Sequence, residues 1–485
     1  MLALRTARFA AQVVLLTSFS AVCSLQSAIC NRPTVSFGAI APASTFCGRG
    51  PFAILLPAWV LFRKVNLQDS ANDSQVQQGP IPDDPIGIVG ASAAGLFTAL
   101  LFARKGRSVR LFERAERLDP AFRTLIVTDR IRKLLGASAQ RCAINEIRGF
   151  ELFTDGRTAQ VQLDCPDLVI ERSQLIRALA HEAQSCGAQL EFSRRFASLQ
   201  PSSRGGIELT LSKTSPQAKE AQYERVSCSA VVGADGAHSG VARAAGWPRL
   251  TTVPLVQALV ELPSGMPSDT VRVWFIPDDT PYFYWLIPES RERGALGLIG
   301  VDGQQTLRCL QRFMEKRHFK ALGFQGARIP LYEGWVPVER RIGKGRVYLV
   351  GDAAAQVKVT TLGGVVTGFR GALGVSEQFL NGGLSRELRA LRRELDLHKL
   401  IRRSIHGFRQ SDYSRLVDSV NNRMRRSLSR LNRDEAARLL WQICRDQPRL
   451  VWLGLRGLLA RPPELSKDSD LSADLSVCGP SVIQR

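Results

Sequence analysis

The chain has 485 residues, 45% of them hydrophobic and 22% charged, which is ordinary for a globular protein of two or three structural units. Its formal net charge is +21, so its surface attracts phosphate groups on nucleic acid, anionic lipid or a charged substrate. The ten cysteines include no CxxC pair and no Cys/His cluster with zinc spacing, which argues against a structural metal and a disulfide framework and favours a reducing compartment.

Residues 1–80 differ in composition from the rest and are treated as an N-terminal extension. No acidic residue precedes Asp69, and the apolar runs at 9–22 and 52–62 are shorter than the ~20 residues that a membrane span needs. Three interpretations compete: a secretory signal, an organelle transit peptide, or upstream sequence translated in error, since Met266 is the first methionine after Met1. The fold is therefore sought from residue 81 onward.

A strand, a glycine turn and a helix follow one another from residue 85 to residue 103. Gly90 permits a tight turn at the end of the strand, and Gly95 allows the helix to pack close to it. Ser92 stands where the G-x-G-x-x-G fingerprint has its second glycine, a small residue that still allows close approach. With Ala93 and Ala94 these residues form the helix N-terminus, whose free N–H groups favour a pyrophosphate.

A second strand, residues 108–112, ends in Glu113-Arg114. The carboxylate of Glu113 can accept hydrogen bonds from the hydroxyls of an adenosine ribose. This β–turn–helix–β unit predicts dinucleotide binding, but by itself it does not separate NAD from FAD.

Two later strands end in glycine–aspartate motifs. Residues 229–233 lead into Asp235 and Gly236, and residues 346–350 lead into Gly351-Asp352. Asp352 follows the carboxyl end of its strand, where its carboxylate can bind a ribityl hydroxyl. The order of the three strand-ended motifs favours FAD over chance turns.

An aromatic segment at 281–288 lies between these two motifs. Its alternating aromatics, Tyr282, Tyr284 and Trp285 among them, are predicted to line an apolar tunnel, with a half-buried core strand as the simpler alternative. Farther on, residues 356–365 contain Lys358, Gly363 and Gly364. The stretch resembles one found in the geranylgeranyl reductases, which implies that its backbone N–H groups at a helix N-terminus face the flavin. The position of Lys358 then suggests a place near flavin or substrate, with a solvated lysine as the alternative.

The C-terminal region is strongly basic. Residues 386–461 contain 19 Lys/Arg and 8 Asp/Glu, a net of +11, with leucines and aromatics at helical spacing. This pattern predicts basic amphipathic helices that pack on the flavin domain, line a lipid tunnel or lie on an anionic membrane. Residues 463–485 are predicted to form a disordered tail.

These motifs resemble the FAD-dependent aromatic hydroxylase superfamily and, within it, the geranylgeranyl reductase group, over about residues 85–460. The aromatic segment resembles the group's Y-x-W-x-F-P motif, with Ile287 in the Phe place, and Arg172 matches an arginine that opens a helix near the FAD. The reductases carry a cysteine-containing loop soon after the ribose-binding acid. Residues 118–125 contain no cysteine, which puts any mechanism using it in doubt.

The resemblance implies an α/β fold, with a Rossmann-type FAD-binding domain of the aromatic hydroxylase kind, an inserted antiparallel β-sheet substrate domain and a helical C-terminal region. The predicted boundaries are 81–165, 166–250 and 341–383 for the FAD-binding parts, 251–340 for the substrate domain and 384–462 for the helical region. The predicted cofactor-binding residues are Gly90, Ser92, Ala93, Ala94, Gly95, Glu113, Arg114, Arg123, Arg172, Asp235, Gly351, Asp352, Gly363 and Gly364.

The implied activity is reduction of isolated C=C bonds in a geranylgeranyl-type lipid by hydride from reduced FAD, with NADPH or another donor visiting transiently. Tyr282, Tyr284 and Trp285 are the candidates for lining the substrate, and a tyrosine can relay the proton. We expect a cytoplasmic protein with no metal and no nucleic-acid partner. Peripheral membrane contact, an N-terminal signal and the oligomeric state stay open.

Two alternatives remain. A flavin-dependent monooxygenase or halogenase is favoured by Phe283-x-Trp285-x-Ile287-Pro288, which is close to the halogenase W-x-W-x-I-P signature. A flavin-bound lipid-binding protein without turnover is the alternative from another class.

Overall fold

The structure is a computed structural model that describes residues 84–118, 122–213, 222–430 and 434–459. The expectations for the extension at 1–80 and the tail at 463–485 lie outside these residues. None of the described helices is both long and apolar enough to cross a bilayer.

The first sheet has six strands, in the order β16-β17-β10-β1-β2-β6. All neighbours are parallel except β16, which pairs antiparallel with β17. The central strands are buried along their full length, which explains their apolar sequences. The strands are β1 (Ile86–Val89), β2 (Val109–Phe112), β6 (Gln189–Glu191), β10 (Ala230–Gly233), β16 (Glu339–Ile342) and β17 (Gly345–Leu349).

The second sheet has eight strands, in the order β15-β11-β14-β13-β12-β4-β5-β3. Its pairs are antiparallel except for β12 and β4, which run parallel. The strands are β3 (Thr124–Val127), β4 (Ala143–Thr154), β5 (Arg157–Glu171), β11 (Thr252–Glu261), β12 (Thr270–Trp274), β13 (Tyr284–Pro288), β14 (Arg293–Ile299) and β15 (Ala321–Pro330).

This sheet differs from the predicted domain boundaries, which confined it to residues 251–340. Three of its strands come from residues 124–171, because β4 continues the sheet through its parallel pairing with β12. The sheet is thus assembled from two stretches of chain separated by about 80 residues of the FAD-binding part.

A third, three-stranded antiparallel sheet contains β7 (Arg194–Pro201), β8 (Ile207–Lys213) and β9 (Gln222–Cys228). The helices of the FAD-binding and sheet regions are α1 (Ala93–Ala103), α2 (Arg130–Leu135), α3 (Ala137–Arg141), α4 (Arg172–Ser185), α5 (Gly240–Ala244), α6 (Gly303–Lys316) and α7 (Val365–Asn381).

The C-terminal region is helical, as predicted. It contains α8 (Arg386–Ile405), α9 (Gln410–Asp418), α10 (Asn422–Arg430), α11 (Ala436–Asp446) and α12 (Pro448–Leu459). Leu391 and Leu395, on one face of α8, are buried in a cluster with residues of the eight-stranded sheet. The predicted α/β class, with a FAD-type parallel sheet, a second sheet and C-terminal helices, is confirmed.

Candidate FAD and substrate site

The carboxyl ends of β2, β1, β10 and β17 meet at one edge of the parallel sheet. Glu113, Gly90 and Ala234 follow their strands directly, and Gly351 follows β17 after Val350. The four predicted motifs are therefore neighbours in space, at the edge where doubly wound sheets bind their ligands.

The turn between β1 and α1 requires its glycines. Gly90 has φ +104°, and a Cβ there would meet the Ala234 carbonyl oxygen at 2.7 Å. A Cβ on Gly95 would lie 2.2 Å from the Gly90 carbonyl oxygen. Both contacts are with backbone, so no side chain can move aside. The close approach of α1 to β1 that Gly95 was predicted to allow is present.

Ser92 has a role that spacing alone did not reveal. Its side-chain oxygen accepts a hydrogen bond from the Gly95 N–H at 3.1 Å and so caps α1. Ala93 and Ala94 form the first turn of the helix, so the small residues leave its N-terminal face open.

Glu113 lies beside this turn. Its carboxylate accepts hydrogen bonds from the N–H groups of Ala91 at 2.7 Å and Ala115 at 3.1 Å, which fixes the side chain next to the mouth of the crevice. The adjacent Arg114 is exposed.

Asp235 serves the fold of its loop. One carboxylate oxygen accepts from the Ser239 hydroxyl, and the other accepts from the N–H groups of Gly240 at 2.7 Å and Val241 at 3.2 Å. Burial raises the pKa of this carboxyl, and these hydrogen bonds oppose the rise. Asp235 thus shapes the motif by holding the start of α5.

The Gly351-Asp352 turn is held by a buried glutamine. Gly351 has φ +65°, and its N–H donates to the Gln356 side-chain oxygen at 2.7 Å. A Cβ on Gly351 would meet the Cβ of Ala94 at 2.8 Å, so the turn touches the first turn of α1. No sequence pattern predicted this role of Gln356. Its side chain has room only because Gly371 lies beside it, where a Cβ would lie 1.8 Å from the glutamine oxygen.

Asp352 is exposed to solvent as a whole residue, although neighbouring protein groups shield its carboxylate. This shielding raises the pKa of its carboxyl, and the positive charges of Arg123 and Arg172 oppose the rise. The three side chains therefore form one electrostatic cluster at the crevice, which brings together two predicted arginines and the predicted acid.

A buried acid positions the two arginines. Glu171 accepts from the N–H groups of Ser173 at 2.8 Å and Gln174 at 3.0 Å and so caps α4, which Arg172 begins. It also accepts from the Arg123 N–H at 3.3 Å, while the Arg172 N–H donates to the Arg123 carbonyl at 2.9 Å. Sequence reasoning found both arginines but missed the glutamate that joins them.

Gly363 and Gly364 lie at the N-terminus of α7. Gly364 is the N-cap residue, without a side-chain cap, and a Cβ there would approach the Asp352 carboxylate at 3.1 Å. A bulky side chain would therefore fill the space between Asp352 and the helix N-terminus.

Lys358 does not lie free in the crevice. It is buried and paired with Asp434, whose second oxygen accepts from the buried Thr128 hydroxyl. Its charge is satisfied by a carboxylate 76 residues away in sequence, and its suggested place near flavin or substrate stays a prediction.

The aromatic strand divides its side chains between two clusters. Trp285 and Ile287 belong to an apolar cluster with Tyr282, Val357, Val359 and Leu362, which we call the loop-side cluster because three members follow the Gly351-Asp352 turn. Tyr284 points to the opposite face of the sheet, where its ring stacks on Phe313 of α6 at 4.3 Å.

The prediction that Tyr284 lines the substrate together with Trp285 is therefore wrong. Its hydroxyl donates to Asp279 at 2.8 Å, and adjacent residues of a strand face opposite sides. Tyr282 lies before the strand begins, so the alternation of side chains between the two faces of a strand does not apply to it. It therefore shares the loop-side cluster with Trp285. The Arg402 guanidinium lies 3.8 Å above the Tyr282 ring, and burial raises the pKa of the Tyr282 hydroxyl.

Two buried ring nitrogens at this side were not predicted. The Trp285 indole nitrogen and His398 Nε2 have no hydrogen-bond partner among the described residues. His398 Nδ1 is 2.7 Å from the Thr360 hydroxyl, and burial, with Lys358 nearby, lowers the pKa of His398 to about 3. The histidine is thus neutral. In the sequence, only its helical spacing from Leu391 and Leu395 indicates that it lies on the same helix face as these two leucines.

The residues at the crevice fit FAD. Arginines and helix N–H groups suit phosphates, and Glu113 and Asp352 suit ribose and ribityl hydroxyls. Glycines stand where a Cβ would fill the path between these groups.

Comparison with known proteins agrees with this geometry. The chain is 28% identical over 304 residues to digeranylgeranylglycerophospholipid reductase 2 of Methanothermobacter thermautotrophicus, covering 57% of this chain and 73% of that protein. This chain is a FAD-dependent oxidoreductase, and over the matched part it is similar to that reductase.

Solved structures share the fold. A geranylgeranyl bacteriochlorophyll reductase-like protein from Thermoplasma acidophilum matches with a TM-score of 0.63 at 17% identity, over 76% of this chain and 98% of that one. The flavin-dependent monooxygenase PieE matches with 0.53 at 16% identity, over 76% and 72% of the two chains. Residues 83–376 match the model of the FAD binding domain family, and the chain belongs to that family.

Proposed function

We propose that this protein reduces C=C bonds of a geranylgeranyl-type isoprenoid lipid. The observation that carries the proposal is the loop-side cluster: buried apolar side chains from the aromatic strand, α8 and the loop after Asp352. The cluster begins beside the crevice, since a Cβ on Gly364 would lie 3.1 Å from both the Asp352 carboxylate and Val357. A prenyl chain presents only hydrocarbon, so it would be taken up among apolar side chains of this kind. The similarity to a reductase of a digeranylgeranyl lipid supports the same choice.

FAD, when bound and reduced, would supply the hydride for this reaction. The chain would hold it through Arg123, Arg172, Asp352, Glu113 and the turn at Gly90. Arg114 and Asp235 belong to the predicted set as well, and Asp235 also holds the start of α5.

Tyr282 and Trp285 would line the lipid, and Tyr282 would hold the proton that completes the second carbon. The pKa of its hydroxyl is raised by burial, so the hydroxyl keeps its proton at neutral pH. Neutral His398 keeps a charge out of the apolar surroundings, which would otherwise admit water.

NADPH or another reductant would restore the flavin by a transient encounter. The lipid substrate would be reached at a membrane surface, with the basic C-terminal helices as the contacting part. These steps extend the oxidoreductase assignment and are tested separately.

The test uses the full chain loaded with FAD and reduced anaerobically. Geranylgeranyl diphosphate or a geranylgeranyl lipid is added, and products are followed by mass spectrometry together with flavin reoxidation. A gain of two hydrogens per reduced bond supports the proposal. Reduced flavin that persists unchanged with both substrates contradicts it.

A flavin-dependent monooxygenase or halogenase is the second candidate. It is supported by the segment Phe283-x-Trp285-x-Ile287-Pro288. This candidate predicts that NADPH drives oxygen consumption and that an apolar or aromatic small molecule becomes oxygenated or halogenated. The anaerobic assay separates the two, since this chemistry requires oxygen.

A further inference from the structure

We propose that two matched arginine–tryptophan faces on α11 and α12 bind this protein to anionic lipid headgroups. The inference deepens the membrane contact included in the proposed function. The proposed function supplies only the reason for the enzyme to be at a membrane. The binding itself can be measured without turnover.

The two helices repeat one pattern. Arg438, Trp441 and Arg445 recur eleven positions later as Arg449, Trp452 and Arg456. The spacing of three and four residues places each trio on a single face of its helix. Two tryptophans are thus each flanked by arginines one turn before and one turn after.

Both tryptophans face solvent. Trp441 is 58% exposed and Trp452 63% exposed, although tryptophan is usually largely buried in folded proteins. Arg445 lies 5.0 Å from the centroid of the Trp441 ring, and Arg456 lies 5.9 Å from that of Trp452. An indole ring with a guanidinium over its face combines an apolar body with a cation.

The inner sides of both helices are already occupied, which fixes the outward direction of the tryptophans. Leu453 of α12 is buried with Phe408 and Tyr413, and a Cβ on Gly457 would overlap the Ser404 carbonyl oxygen of α8 at 1.8 Å. Ile443 of α11 packs on a separate buried cluster. The exposed faces are therefore not surfaces awaiting closure onto α8.

The charge around these faces is positive. Residues 422–459 contain nine arginines and three acidic residues. The acids are engaged, since Asp434 pairs with Lys358, Glu435 with Arg438 and Asp446 with Arg423 and Arg445. The Glu435–Arg438 pair lies at the surface, where ion pairs are weak, so the Arg438 guanidinium can exchange to a lipid phosphate at little expense.

This combination fits an anionic bilayer surface better than a protein. Tryptophan settles at the level of lipid headgroups, and basic side chains within the Debye length are attracted to anionic leaflets. Short amphipathic helices that lie on a membrane bind by these two contributions together. An acidic protein partner would need the charges but not two solvent-facing indoles spaced along two helices.

The experiment is vesicle sedimentation with the full FAD-loaded chain. Vesicles are POPC alone, or POPC mixed with an equal amount of POPG. We expect binding to the mixed vesicles only, weakened at least about tenfold by Trp441→Ala/Trp452→Ala and about fivefold by Arg449→Gln. Tyr223→Ala, which removes an aromatic that is 65% exposed on the three-stranded sheet, is the matched control and should bind as the parent does.

A second readout covers the case in which the alanine variant folds poorly. Brominated lipid in the mixed vesicles should quench the tryptophan fluorescence of the parent, and Trp441→Phe/Trp452→Phe should remove that quenched component. Equal binding of parent and double variants, or equal binding to POPC alone, would overturn the inference. So would quenching that survives in the phenylalanine variant.

The arms also separate this inference from the proposed activity. If the reductase reaction fails but the mixed vesicles bind through the tryptophans, only the activity is wrong. If water-soluble geranylgeranyl diphosphate is reduced while the vesicles do not bind, only the docking surface is wrong.

Discussion

The two walls of the site are stabilised by different means. On the cofactor wall, Gly90, Gly95 and Gly351 let backbone segments approach within distances that any side chain would block. On the substrate wall, Tyr282 and Trp285 pack against residues of distant segments, and a buried Lys358–Asp434 pair joins the loop to the C-terminal region. The first wall depends on glycines, which have no side chain to block close backbone contact. The second depends on side chains from distant segments packing against one another.

The largest expected effect is on the cofactor wall. Gly95→Val places a Cβ against the Gly90 carbonyl, so we expect the protein to lose bound FAD and to unfold in its parallel sheet. Flavin absorbance of the purified protein measures the loss. Gly383→Ala, at an exposed glycine with nothing within 4 Å of its Cβ, should keep the parent's flavin content. Full flavin content in Gly95→Val would refute a close-packing role.

Removing one member of the buried Lys358–Asp434 pair should destabilise the substrate wall. Asp434→Leu leaves Lys358 buried without a partner, and we expect a loss of about 3–5 kcal/mol in the free energy of unfolding. Chemical denaturation measures it. The double variant Lys358→Met/Asp434→Leu should recover most of that loss, because no charge remains unpaired. A double variant as unstable as the single one would contradict the pairing argument.

A smaller effect is expected at Asp352. Asp352→Asn removes the charge that faces Arg123 and Arg172 and an acceptor for the ribityl chain, so FAD affinity should fall about 10- to 100-fold, or ~1.4–3 kcal/mol. Fluorescence titration of the apoprotein gives the dissociation constant. Asp155→Asn, in the exposed turn between β4 and β5, is the control and should leave affinity unchanged.

Acidification should weaken the substrate wall through His398. Its pKa is about 3 in the folded protein against 6.5 ordinarily, so the folded state binds fewer protons than the unfolded chain within that window. The free energy of unfolding should fall as pH drops below 6.5, by about 2 kcal/mol from this group at pH 5.

His398→Asn should lose less stability than the parent between pH 7 and pH 5. His406, whose pKa is lowered to about 4, titrates in the same window but is present in both proteins and cancels in the comparison. The exposed His181 provides the control substitution, His181→Gln. Identical pH dependence of parent and His398→Asn would exclude this contribution.

The smallest effect compares the two faces of the aromatic strand. Tyr284→Phe removes the bond to Asp279 and should cost about 1 kcal/mol of stability with no change in substrate KM. Trp285→Phe should raise KM for the prenyl substrate, because its ring belongs to the loop-side cluster. Thermal denaturation and steady-state kinetics distinguish them. A raised KM in Tyr284→Phe would reverse the assignment of the faces.

The cofactor wall was largely predictable from sequence. Gly90, Gly95, Glu113 and Asp352 belong to local strand–turn–helix units, in which spacing alone dictates position. Even so, the capping role of Ser92 and the support that Gln356 gives the turn required the neighbouring backbone to be known.

The substrate wall was less predictable, because its contacts are long-range. The partner of Lys358 lies 76 residues later, and no spacing rule links the two. The face of Tyr284 depended on where its strand begins, and a shift of one residue exchanges the two faces of a strand. The contribution of β4 and β5 to the sheet depended on a parallel pairing with β12 that no local motif announces.

The Lys358–Asp434 pair also has a consequence for the order in which the protein matures on the ribosome. All cofactor-wall residues up to Gly364 emerge before Asp434 is synthesised, so a nascent chain can complete its flavin pocket while Lys358 still lacks its counter-charge. The loop-side cluster then settles only when the C-terminal helices arrive. Flavin uptake would thus precede closure of the lipid pocket during synthesis.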